Sequence, residues 1–162
     1  MSGETPRIDD IEDNINTLLA GTGGVICAYE DIVPFSSANL TGGLPVEYVT
    51  PVYDPLNTYD RSTKLFTVPA GESGLYSVTA KFKASCSIVS AIKVSKLVSS
   101  VATDFEYSVE VADFHQITTF FMMNAGDQIQ VAMLGWSGSG TPTGTLTSDP
   151  SHKLLIQQVK KI

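Results

Sequence analysis

Apolar residues recur at every second position along much of this chain, and that spacing limits what it can fold into more than any other feature. Tyr76, Val78, Ala80 and Phe82 share one face of an extended backbone, with Ser77, Thr79, Lys81 and Lys83 on the other. A period of two is that of a strand with one face covered and one wet. The same alternation sets Phe105, Tyr107, Val109 and Val111 against Glu106, Ser108 and Glu110, and Ile129, Val131 and Met133 against Gln128 and Gln130. In each case the apolar row is expected to face the core. Turn-forming groups separate the runs at Gly42-Gly43, Asp54-Pro55, Pro69-Ala70-Gly71, Asn124 to Asp127 and Gly135 to Gly144. With 162 residues there is room for one ordinary domain, and 17 Ser, 16 Thr and 15 Val favour strands and tight turns over helices. The expected fold is all-β: a two-sheet antiparallel jelly-roll sandwich over residues 25–162.

Two segments depart from the rule that one strand face is polar. In ITTFFMM, Ile117, Phe121 and Met123 fall on one face while Phe120 and Met122 fall on the other. In the last strand Leu154 and Ile156 are opposed by Leu155 and Val159. A sandwich covers one face of each strand, so Phe120, Met122, Leu155 and Val159 are expected to be covered by another subunit.

Residues 1–24 read differently. Thr5 suits a helix cap, Pro6 the first helical position, Asp9 and Asp10 the positive end of the dipole, and Gly21 a stop. Ile8, Ile11, Ile15 and Leu18, spaced 3, 4 and 3, form a two-heptad seam whose isoleucines favour three or four helices over two. So short a helix is marginal alone. The segment is therefore expected to be an oligomerisation and docking helix followed by a glycine linker.

The charge balance excludes several functions. Ten basic against 17 acidic residues give a net charge of −7, and residues 1–20 alone hold five acids and one base. Such a field repels phosphate backbones and anionic lipid, so neither nucleic acid nor membrane is an expected partner. No apolar run approaches the length that spans a bilayer. Two cysteines, Cys27 and Cys86, are too few for a disulfide framework and are expected as buried thiols. The opening MSGETPRIDD lacks the basic and apolar stretches of a signal peptide, which points to assembly in a cytoplasm. Two histidines, His115 and His152, lack metal-helix spacing, with His115 expected at a surface or interface, and Asp54, Asn57 and Asp60 read as turn residues before calcium ligands. No cofactor, metal or catalytic group is expected, and the chain is read as a non-enzyme. Trp136, among small residues, is the one plausible ligand contact, of the kind that meets sugars.

Tyr59-Asp60-Arg61-Ser62-Thr63-Lys64-Leu65-Phe66-Thr67-Val68-Pro69, followed by Gly74-Leu75-Tyr76, resembles a segment of the jelly rolls shared by complement globular heads and tumour necrosis factor. Met123-Asn124-Ala125-Gly126-Asp127-Gln128-Ile129-Gln130-Val131 is similar to that superfamily's entry into a later strand. The likeness follows the order of elements over roughly residues 45 to 160, with Lys64 standing where the family usually has glycine. It implies a tight trimer. Joined to the missing signal peptide, the scarce cysteine and the heptad seam, it suggests a bacteriophage virion protein. The expected function is a homotrimeric capsid decoration or head spike docked through its N-terminus to another virion protein. The alternatives are a fibre tip that recognises host surface glycan, and a secreted module of the complement or tumour necrosis factor kind.

Overall fold

The computed structural model describes residues 24–86, 89–110, 114–137 and 139–162. The expected N-terminal helix with Ile8, Ile11, Ile15 and Leu18 lies outside them, as does Val111. The described chain is all strand and turn. Its elements are β1 (Gly24–Ile32), β2 (Phe35–Asn39), β3 (Leu44–Pro45), β4 (Tyr48–Tyr53), β5 (Tyr59–Asp60), β6 (Leu65–Thr67), β7 (Gly74–Cys86), β8 (Val89–Val98), β9 (Val101–Glu110), β10 (Phe114–Met123), β11 (Gln128–Trp136), β12 (Thr143–Leu146) and β13 (Lys153–Lys161).

Two antiparallel sheets pack face to face. The larger runs β2-β12-β7-β13-β1-β4 with β10 also paired to β7; the smaller runs β5-β6-β11-β8-β9 with β3 on β11. Tyr76, Val78, Ala80 and Phe82 of β7 meet Ile92 and Val94 of β8 and Ile129, Val131 and Met133 of β11 in one buried cluster. The alternation on β7 and β11 thus points inward as their sequences predict, and removal of these side chains from water is the main drive to pack the sheets.

The two motif segments hold corners of the sandwich together. Tyr59 Oη accepts from the Tyr48 N–H at 3.0 Å and donates to the Val46 carbonyl at 3.3 Å. Asp60 closes its own turn by accepting from Ser62 N–H and Oγ at 2.8 and 2.7 Å. Lys64 adopts φ 61°, the left-handed conformation that suits the glycine usual at this point. In the second motif Gly126 has φ 91°, while Asp127 accepts from the Asn124 N–H at 2.8 Å and faces the Lys96 ammonium at 3.6 Å. Gly74 serves a different purpose: its φ is ordinary, but a Cβ there would run into the Lys160 carbonyl where β7 and β13 shift register.

Three expectations need correction. His115 sits in the core, its ring stacked 5.2 Å from Phe82 and its Nε2 2.6 Å from Ser90 Oγ, instead of at a surface. Trp136 is the last residue of β11, paired with Val89, and not part of a loop. The apolar row of β9 faces out. Lys93, Ser95 and Ala91, opposite Tyr107, Phe105 and Val109, lie on the outward side of β8, whereas Glu106 and Ser108 lie opposite the core residues Val94 and Ile92. β9 is the last strand of its sheet, and on its other face Glu106 is exposed and Ser108 half-buried.

Candidate interaction surfaces

The outward face of the larger sheet gathers the four residues that the sequence marks for a subunit contact. Across β10, β7, β13 and β1, backbone register sets Met122 beside Leu75, Phe120 beside Ser77 and Gln157, and Thr118 beside Thr79, Leu155 and Ala28. Phe120 and Met122 are 57% and 53% exposed, while Phe121 and Met123 on the reverse side are buried. Leu155 is half-buried and Val159 exposed. The centre of the face is apolar or polar without charge, with Thr79 Oγ1 and Thr118 Oγ1 2.9 Å apart and Gln157 in the row of Phe120. Charge is kept to its ends: Lys153 pairs with Glu30 at 3.0 Å at one, and Lys160 stands beside Leu75 at the other. An uncharged centre with a charged margin is the anatomy of an association surface.

The second surface is the outward face of the smaller sheet, and the sequence pointed only to Trp136 there. Tyr107 lies 6.2 Å from Trp136 and Phe105 6.2 Å from Tyr107, ring centre to ring centre. Trp136, Tyr107 and Phe105 are 45%, 51% and 49% exposed. Lys93 reaches over the Phe105 ring, its Nζ 4.6 Å from the centroid. Phe105 and Tyr107 were missed because their alternation reads as core, and nothing local in the sequence tells an edge strand from an inner one.

Several other polar side chains hold the fold together. Asp54 accepts from Tyr29 Oη at 3.0 Å, from Thr58 N–H and Oγ1 at 2.7 and 2.6 Å, and from the Tyr59 N–H at 3.1 Å. Asp54, Asn57 and Asp60 therefore act as loop residues, and the described residues contain no group of three or more His, Cys, Asp or Glu able to hold a metal ion. Burial, helped by the Asp54 charge, pushes the Cys27 thiol up to about 12, so this side chain stays a neutral core group. His152 accepts the Lys83 N–H on Nδ1 at 3.1 Å and donates from Nε2 to the Thr147 carbonyl at 2.8 Å, which fixes the orientation of its ring. One shallow apolar cleft of about 220 Å³, between Phe35, Leu44 and Pro45, has only Glu47 and Lys64 as ionisable lining. Among the described residues no helix is long and apolar enough to cross a membrane.

No protein-family model and no curated protein matches the sequence. Solved structures do match in fold. Murine APRIL, in a crystal structure at pH 8.5, superposes with a TM-score of 0.57 at 13% identity, covering 83% of this chain and 98% of that one. The globular domain of zebrafish complement 1qA protein superposes with a TM-score of 0.51 at 11% identity, covering 86% of this chain and 99% of that one. At such identity the likeness is one of fold. The chain has a two-sheet jelly-roll fold similar to that of murine APRIL and of the complement 1qA globular domain.

Proposed function

We propose that this chain is a non-enzymatic structural protein that assembles as a homotrimer through the outward face of its larger sheet, and that the trimer decorates or spikes a bacteriophage capsid. The observation that carries the trimer is the convergence of Phe120, Met122, Leu155 and Val159 on one uncharged surface. Fully burying a Phe or Met side chain contributes about 1.5–3 kcal/mol, so half-exposed Phe120 and Met122 add about half of that each. Association itself costs about 4–15 kcal/mol, so the whole face has to close.

The exit point of the N-terminal segment supports the same arrangement. Gly24 lies in the row of Gln158, Tyr76 and Phe121, one position from Phe120 and Met122 along β10. Three chains packed through this face would bring their first residues together, where the Ile8, Ile11, Ile15 and Leu18 seam can join them. That bundle is the element proposed to dock to a capsid or other virion protein. The virion setting rests on the seam and the scarcity of cysteine in the sequence.

Sedimentation equilibrium tests the assembly. Three copies of a 17.3 kDa chain give about 52 kDa, and Phe120→Asp with Met122→Asp should return the monomer mass while the chain stays folded. A native monomer at micromolar concentration overturns the reading. Docking is tested by adding the chain, with and without residues 1–20, to particles lacking it; full decoration by the shortened chain removes the role given to the seam.

A further inference from the structure

We propose that the outward face of the smaller sheet, where Trp136, Tyr107 and Phe105 form a row with Lys93 over the Phe105 ring, is a binding site for a carbohydrate that carries a carboxylate. Three rings standing exposed on a sheet are uncommon, because aromatic side chains bury the most apolar area per residue of any type. Here they are held in place. Ala91 and Ser95, the small residues between them on β8, are buried beneath the larger side chains, so the rings sit on a packed floor.

The charge pattern selects the ligand. At the described outward positions of β11, β8 and β9, Lys93 is the sole charged side chain, and the outward acid of this sheet, Asp60, stands at its far edge on β5, four strands from Phe105. Among the described residues Lys96, Lys153, Lys161 and Arg61 each have a carboxylate partner, whereas Lys93 stands over the Phe105 ring. On a chain of net charge −7 an aromatic patch with one ammonium and no neighbouring acid is complementary to a small anion with an apolar side. A sugar acid has both parts. The C–H face of its ring packs on Trp136 and Tyr107, and its carboxylate meets Lys93 in a charge-assisted hydrogen bond.

Other occupants fit less well. A second copy docking through the same face would bring one Lys93 against the other, and the apolar surface of the larger sheet offers no acid at its centre. Nucleic acid is opposed by the net charge. The site lies on the sheet opposite the proposed trimer face, so either proposal can fail without the other.

Trp136 is the only tryptophan, so its fluorescence reports this surface directly. The full chain is titrated with 3′-sialyllactose, with a hyaluronan tetrasaccharide, and with lactose as neutral control. The sialic acid and uronic acid arms identify the source of the carboxylate. At least one acidic sugar should shift the emission and bind about tenfold or more tightly than lactose. Tyr107→Ala should weaken that binding about tenfold, and Lys93→Met should bring it down to the lactose level; both positions are at the surface, and unchanged melting confirms folding. The proposal is overturned if neither acidic sugar binds below about 10 mM, if lactose binds equally well, or if Lys93→Met keeps the preference. Loss of concentration-dependent self-association in Trp136→Ala would assign the face to a second copy and overturn it as well.

Discussion

Hydrogen-bonded carboxylates decide how this protein responds to acid. Ser148 and the Ile32 and Asp149 amides hold Asp31 below the usual carboxylate range, Ser62 does so for Asp60, and Ser151 for Asp149. A depressed folded value gives stability that is complete above the unfolded value near 4 and is lost as pH falls through the folded values. On the alkaline side burial pushes Cys27, Tyr59 and Tyr76 up to about 12, which gives stability that is complete below about 9 and is lost as pH rises toward 12. Urea midpoints should therefore form a plateau from about pH 5 to 8.5 and fall on both sides. Lys64 gives a second prediction at this scale. A left-handed non-glycine residue costs about 1–2 kcal/mol, partly offset in a glycine by about 0.5–1 kcal/mol of backbone entropy. Lys64→Gly should raise the unfolding free energy by about 0.5–1 kcal/mol, read from the same urea curves.

Within single strands, side chains one position apart have opposite consequences. Phe121→Ala opens the core and should cost about 3–5 kcal/mol, whereas Phe120→Ala should leave the unfolding free energy of the monomeric Met122→Asp background within about 0.5 kcal/mol. Denaturant unfolding of the two variants in that background checks the contrast. The doubly apolar pattern of β10 and β13 was legible because both faces carry large side chains, so no choice of inner face was needed. On β9 a choice was needed and the alternation misled: a period of two states that two faces differ without stating which is covered. The cover depends on the place of β9 at the edge of its sheet, and strand order is a long-range property absent from the run FEYSV. Trp136 stood out in the sequence by its chemistry, but Tyr107, 6.2 Å from it, comes from a strand 29 positions away in the chain, which local spacing cannot bring together. The role of Gly74 was missed for a similar reason, since the crowding comes from Lys160 on β13.

At the scale of the molecule, the described core from Ile26 to Ile156 is closed within residues 24–162. A chain shortened to these residues should fold alone, with thermal midpoint within about 3 °C of the full chain when both are held monomeric by Phe120→Asp and Met122→Asp; calorimetry checks this. The turn clusters and the two motif segments made the sandwich and its order of elements legible, because glycines, prolines and Asx turns punctuate the chain locally.

β1 begins beside Gln158, only a few residues before β13 runs out at Lys161. The described β domain thus begins and ends at one pole of the sandwich, on neighbouring strands. A linker of about five residues would bridge Gly24 and Ile162, so residues 24–162 can be closed into a ring and reopened at a surface turn such as Gly42-Gly43 without losing a strand pairing. By the same geometry, a passenger fused after Ile162 would be carried at that pole, leaving the far-end loops clear for display.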